Sequence, residues 1–318
     1  MTIDTENLKS SRFCTKSGRP LLIGTGTGTK WQHLKKSKAE KDALTKEIVD
    51  QLVLALNSGF YHIDTAEIYT THSEVGAAVK QSGFKREDLF ITSKYFSGSS
   101  RYPAMSSSPT EAVDKALSEL GTSYLDLYLI HTPFFDELTS HGYNSVKAYK
   151  ELMKSKEEGK IRYLGVSNYA IQHLEEIMKA VEPKDYPLVN QIEFHPYLQN
   201  QSKGIIEFCQ QHGILVEAYG PLTPLFRIQA GPDGTSSDPL KEVLPKLSDK
   251  YKKTQAQILL RYTVEKDILP ITTSSNAQRI KESLAIYEFS IKPEDVSLID
   301  NVGSTFKFRS FFKEYDSF

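Results

Sequence analysis

Short runs rich in β-branched and aromatic residues alternate eight times with longer stretches whose apolar residues recur every three or four positions, which restricts the chain to α/β architectures on a parallel sheet. The runs predict strands over 21–25, 61–64, 89–93, 125–130, 163–166, 189–193, 215–218 and 268–271. The periodic stretches predict helices near 45–57, 73–81, 109–119, 143–158, 170–179, 202–212, 254–265 and 277–286. In the first of these, Ile48, Leu52, Ala55 and Leu56 form a one-sided apolar stripe. Punctuation agrees: Pro109 with Glu111 opens one helix, and Gly59, Gly83, Gly121, Gly159 and Gly213 close others. Eight strand–helix cycles with no intervening linker predict a closed (β/α)8 TIM barrel forming one domain over 1–318, with a doubly wound sheet as the competitor. Two segments lie outside the cycles. Residues 223–238 read as a long loop after the seventh strand, and beyond Lys292 a short helix, PEDVSLIDN, leads to an aromatic tail, FKFRSFFKEYDSF. The expected architecture is a barrel with long loops on its C-terminal face and two extra helices.

Charge and cysteine content narrow the function. With 39 Lys and Arg against 40 Asp and Glu, the chain has no basic excess with which to bind nucleic acid or an anionic membrane electrostatically. Cys14 and Cys209 are far apart and form no CxxC pair, which argues against a disulfide scaffold or a cysteine-based zinc site. The opening MTIDTENLKSS has no apolar targeting core, and no run of about 18 apolar residues occurs. The expectation is a cytoplasmic enzyme that acts on a small molecule and has no obligate protein partner.

The glycine-rich stretch Gly24-Thr25-Gly26-Thr27-Gly28 is not read as a dinucleotide fingerprint, which needs a third glycine at another spacing and an immediate helix. It reads instead as a loop at a strand end whose missing side chains leave room for a ligand, making Gly26 and Thr27 candidate cofactor contacts. The ionisable residues are more informative. In a barrel, catalytic groups gather at the C-terminal ends of the strands. Asp64, Lys94 and His131 end the second, third and fourth predicted strands, and Tyr69 follows Asp64 by five residues. These four suit reduction of a carbonyl, in which the developing alkoxide needs a proton. A Tyr phenol ordinarily has a pKa near 10, and an adjacent ammonium, held by Asp64, is expected to lower it. His131 is placed to donate a hydrogen bond to the carbonyl oxygen as negative charge collects there. No metal or covalent nucleophile is called for.

Six stretches, in order across most of the chain, resemble the aldo-keto reductase superfamily: GFYHIDTAEIYTTHSEVG (59–76), LFITSKYF (89–96), DLYLIHTP (126–133), IRYLGVSNY (161–169), VNQIEFHPY (189–197) and EAYGPL (217–222). Within it the chain looks most like the fungal conjugated polyketone (ketopantoyl lactone) reductases. The resemblance implies a catalytic tetrad of Asp64, Tyr69, Lys94 and His131, with Tyr69 as general acid. It implies that Ser167, Asn168 and Gln191 hold the carboxamide of a nicotinamide cofactor and that Tyr219 stacks on its ring. It favours NADPH over NADH, because residues 273–279 resemble the segment that grips the adenosine 2′-phosphate; Thr273, Ser274 and Arg279 fall there, and a guanidinium fork suits a phosphate. Two departures stand out. The usual Lys six residues before Arg279 is Thr273, and Gly220 follows Tyr219 where many relatives carry Ser. Leu222–Leu225 is expected to lie against the pyrophosphate.

Trp31, Phe96 and Thr132 are expected to line the substrate pocket. Phe96 and Thr132 stand where relatives often carry Trp, which implies a site open to compact, polar dicarbonyl compounds such as ketopantoyl lactone or conjugated polyketones. The competing readings are an aldose- or xylose-type aldehyde reductase, a cofactor-binding regulatory subunit like the potassium-channel β-subunits, and a metal-dependent barrel isomerase. The last would need clustered carboxylate and His ligands, and the predicted rim offers too few.

Overall fold

The computed structural model describes residues 14–38, 43–99, 102–228 and 238–313. The opening residues 1–11, the stretch 229–237 of the expected loop and the last five residues of the tail lie outside them. Among the described residues eight parallel strands pair in chain order and close on themselves: β1 (Gly24–Gly26), β2 (His62–Asp64), β3 (Phe90–Tyr95), β4 (Leu125–Ile130), β5 (Ile161–Ser167), β6 (Val189–Glu193), β7 (Leu215–Tyr219) and β8 (Leu269–Thr272), which pairs back onto β1. Closure excludes the doubly wound alternative.

Alternation along the strands sorts their side chains. Phe90, Leu127, Leu129, Val189, Leu269 and Ile271 pack together as one cluster, the apolar filling of the barrel. Their neighbours Ile63, Ile91, Tyr128, Ile130, Ile192 and Val216 belong to a second cluster, shared with the surrounding helices. Two residues further along the inward row come Lys94 after Thr92 on β3, Gln191 after Val189 on β6, and Glu217 after Leu215 on β7. The interior therefore changes from apolar to polar towards the C-terminal end of the strands, where a barrel presents its loops.

Eight helices complete the predicted cycles: α2 (Lys46–Ser58), α3 (His72–Ser82), α4 (Pro109–Leu120), α5 (Ser145–Glu157), α6 (Ile171–Ala180), α7 (Ile205–Gln211), α10 (Gln255–Glu265) and α11 (Ala277–Leu284). Side-chain caps set several of their starts. Ser108, Asn144, Thr254 and Asn276 accept from the backbone of Glu111, Lys147, Gln257 and Arg279, satisfying donors that the first turn leaves unpaired. Beyond the cycles the described residues hold four extra helices rather than the expected two: α1 (Lys30–Ser37), α8 (Thr223–Phe226), α9 (Val243–Tyr251) and α12 (Pro293–Gly303). α1 and α8 are too short to show a period, and α9 buries only Leu244 and Leu247 of its nine residues. α1 also corrects one premise, since a helix does begin two residues after Gly28. No described helix is long and apolar enough to cross a membrane.

Candidate active site

The C-terminal mouth of the barrel opens into a cavity of about 870 Å³ lined by Gly26, Gly28, Asp64, Tyr69, His131, Ser167, Asn168, Gln191 and Tyr219. The same cavity reaches Leu222, Thr273, Ser274 and Arg279, and Trp31, Phe96 and Thr132. Of the residues singled out from sequence, Thr27 and Lys94 lie just beneath this surface, both 0% exposed.

Lys94 is the centre of the buried chemistry. Its Nζ lies 2.7 Å from both Asp64 carboxylate oxygens and 3.0 Å from the Thr65 carbonyl, and it sits 5.2 Å from the Tyr69 ring centroid. Burial alone would discharge this ammonium. The Asp64 carboxylate and then Tyr69 outweigh it and hold the Lys94 pKa above its ordinary value. Tyr69 sits in a 3₁₀ turn, Glu67–Tyr69, immediately after β2. Gly28 makes room for it, because a Cβ there would come within 3.0 Å of Tyr69 Cζ. The expected lowering of the Tyr69 pKa is not what the geometry produces. Burial pushes the phenol above its ordinary value; Lys94 opposes this and Asp64 partly cancels Lys94. Tyr69 is consequently held in its protonated form at neutral pH, the state a proton donor requires.

His131 packs edge-on against Tyr69, ring centroids 5.6 Å apart, and against Phe96 at 6.4 Å. Burial, followed by the Lys94 charge, drives its pKa well below the usual histidine value, so the imidazole is neutral.

A polar ledge faces these groups. Ser167 Oγ donates to the Gln191 carbonyl at 2.8 Å, and Asn168 Nδ2 donates to the His131 carbonyl at 2.9 Å and to Ser167 Oγ at 3.1 Å. Asn168 holds a left-handed backbone, φ 65°, which Asn tolerates better than most residues. Its Oδ1 accepts from Tyr219 OH at 2.6 Å, which fixes the Tyr219 ring. Gly220 then turns the chain with φ 70°, a conformation that favours glycine and accounts for its presence where a Ser was expected.

At the far end of the cavity, Thr273 Oγ1 accepts from Trp31 Nε1 at 2.8 Å, so Trp31 is tied to the 273–279 segment rather than standing free over the tetrad. Lys30 Nζ reaches Ser275 Oγ at 3.5 Å. The first residue of α1 thereby brings an ammonium to the segment in which Thr273 replaces the expected Lys. Arg279 is exposed in the first turn of α11, whose N-terminus faces the same space.

Three contributors were not anticipated. Lys30 follows the glycine-rich stretch by two residues, but its charge was not connected with residues more than two hundred positions away. The tail reaches the cavity through Phe311 and Phe312. Glu193 holds it there, accepting from the backbone of Ser310 at 2.7 Å and Phe311 at 3.1 Å, and Phe311 meets Tyr219 edge-on at 5.3 Å. Glu217, inside the EAYGPL stretch, bonds Gln191 beneath the site.

Residues 20–304 match the model of the Aldo/keto reductase family. The chain is 42% identical over 285 residues to the NADPH-dependent alpha-keto amide reductase of Saccharomyces cerevisiae, across 89% of this chain and 87% of that one. It is 38% identical over 281 residues to the NAD/NADP-dependent indole-3-acetaldehyde reductase of Schizosaccharomyces pombe, across 88% and 92%. The crystal structure of an aldo-keto reductase of Bombyx mori in complex with NADP is similar with a TM-score of 0.76 at 28% identity, covering 96% of both chains.

Proposed function

The chain belongs to the aldo/keto reductase family, and on that premise we propose that it is an NADPH-dependent reductase of α-dicarbonyl compounds with Tyr69 as general acid. The observation that carries this reading is the enclosed Asp64–Lys94–Tyr69 chain, which opens through the phenol onto a cavity that His131 also lines.

The cavity's donor set fits a reduced nicotinamide dinucleotide phosphate. Ser167, Asn168 and Gln191 offer polar groups at the tetrad, and Tyr219 offers a ring face. Lys30 and Arg279, with the N-terminus of α11, suit a phosphate at the other end. Lys30 supplies the second cation that Thr273 does not, which supports NADPH over NADH. When bound, such a cofactor supplies the hydride for the carbonyl carbon. The protein's own residues then handle the charge. As the carbonyl π-bond opens, Tyr69 passes its proton to the oxygen, and the phenolate left behind is stabilised by the Lys94 ammonium, itself secured by Asp64. A neutral His131 donates one N–H to the same oxygen and orients the substrate. Burial keeps water from competing for these bonds.

The substrate class follows from the lining. Thr132 offers a hydroxyl beside His131, while Phe96, Phe134 and Phe311 provide apolar walls. That combination suits a carbonyl with a second polar group next to it, such as ketopantoyl lactone, an α-keto amide or a conjugated polyketone. The alpha-keto amide reductase among the relatives accords with this class. The test is oxidation of NADPH and of NADH with a panel of α-diketones, α-keto lactones, simple aldehydes and aldose sugars. NADPH consumption fastest with the dicarbonyls is expected. Preference for aldoses overturns the substrate class, and cofactor binding with no turnover on any carbonyl overturns the enzymatic reading.

A further inference from the structure

The side-chain amide of Gln191 is held by two carboxylates at once. Its Nε2 donates to Asp64 Oδ2 at 2.9 Å and to Glu217 Oε2 at 2.8 Å. Asp64 reaches it across the barrel from β2, and Glu217 is its register neighbour on β7. An amide nitrogen carries two hydrogens, and both are committed here. The oxygen is then the only hydrogen-bonding group of this side chain left for the cavity that Gln191 lines. Turning the amide over would set that oxygen against the Asp64 carboxylate, which fixes the orientation.

Glu217 does not line the cavity and is 1% exposed. Burial pushes its carboxyl up to about 7, against the opposing Gln191 hydrogen bond and with the Asp64 charge adding to the rise. A second acid enclosed beside Asp64 is unfavourable for folding by itself, and an apolar residue of the same size would be easier to bury. Its compensating contribution is the amide it orients.

We infer that Glu217 is a positioning residue of the reductase site: with Asp64 it commits Gln191 to present an acceptor, and so selects a cofactor ring that carries a carboxamide N–H. This rests on the proposed reading that the nicotinamide lies against Ser167, Asn168 and Gln191.

The experiment is a calorimetric titration with NADPH and with its reduced 3-acetylpyridine analogue, in which a methyl ketone replaces the carboxamide and no N–H remains. Wild type should bind the analogue about tenfold more weakly than NADPH, the worth of one hydrogen bond to a well-placed acceptor. In Glu217→Ala the freed N–H of Gln191 can turn to the acetyl oxygen, and the ratio should shrink to roughly twofold. Glu217→Gln, whose amide oxygen can still accept from Gln191, should restore the wild-type ratio. A general loss of stability would weaken both ligands alike and leave the ratio unmoved. A ratio near one in wild type, or one unchanged in Glu217→Ala, overturns the inference; where that variant does not fold, Glu217→Leu, of similar volume and without an acceptor, decides in its place by the same ratio. Failure of wild type to bind NADPH overturns the cofactor reading itself, and the inference with it.

Discussion

The ammonium of Lys94 lies 2.7 Å from both carboxylate oxygens of Asp64, with the lysine side chain entirely enclosed by the barrel. A buried ion pair of this kind contributes little net stability, because the desolvation of two charges offsets their attraction. Its consequence is local: a fixed positive charge beneath Tyr69 that is compensated in the resting state. In the proposed mechanism the phenol stays protonated until a developing alkoxide takes its proton, and the ammonium is then already in place to stabilise the phenolate.

Tyr69→Phe removes only that proton. We expect kcat to fall by about 10³ or more, the scale of general acid catalysis, with cofactor affinity nearly unchanged. Single-turnover kinetics and a cofactor titration check the two halves separately. Retention of most of the turnover would assign the proton to another group.

Lys94→Met leaves Asp64 buried with Gln191 but without its counter-ion. The expected loss is about 3–5 kcal/mol of folding stability, read from urea unfolding, together with loss of reduction. Adding Asp64→Asn should recover much of the stability and none of the activity. A loss below about 1 kcal/mol would place the pair in the class of solvated surface bridges.

Lys30→Ala and Arg279→Ala should each weaken NADPH by about tenfold or more, as expected for removing a charge-assisted phosphate contact, while NADH affinity hardly changes. Quenching of Trp31, the chain's one tryptophan, gives a direct binding signal because its indole is bonded to Thr273 in the same cavity. Equal losses for both cofactors would remove either residue from 2′-phosphate recognition.

His62 is buried inside the barrel, and burial, with Lys94 adding to it and Asp64 opposing, lowers its pKa from 6.5 to about 4. The unfolded chain therefore takes up this proton at a pH where the fold refuses it. Its contribution is intact above about pH 6.5 and is lost as the pH falls towards 4, by on the order of 3 kcal/mol in full. His62→Asn should change stability by a constant above pH 6.5 and then improve relative to wild type as the solution is acidified. Parallel curves for the two proteins between pH 6.5 and 4 would contradict the lowered value.

The period-two and period-3.6 patterns were enough to read eight strand–helix cycles, because each strand and helix records in its own residues which side is buried. Only the pairing of β8 with β1 excludes a doubly wound sheet. The same alternation brought Asp64, Lys94 and His131 to strand ends on one rim, whereas Gln191 and Tyr219 were indicated by the family resemblance. What the patterns do not record is which groups meet across the closed barrel. The bonds of Gln191 to Asp64, of Lys30 to Ser275 and of the Ser310 backbone to Glu193 join residues 127, 245 and 117 positions apart. Local periodicity specifies the face from which a side chain leaves, whereas its partner is chosen only when β8 closes onto β1 and the tail folds back over the mouth. For the same reason the direction of the Lys94 influence on Tyr69 was legible in the sequence, but the net shift, upward rather than downward, was not. Enclosure by the folded chain, which outweighs that lysine, exists only in the tertiary structure.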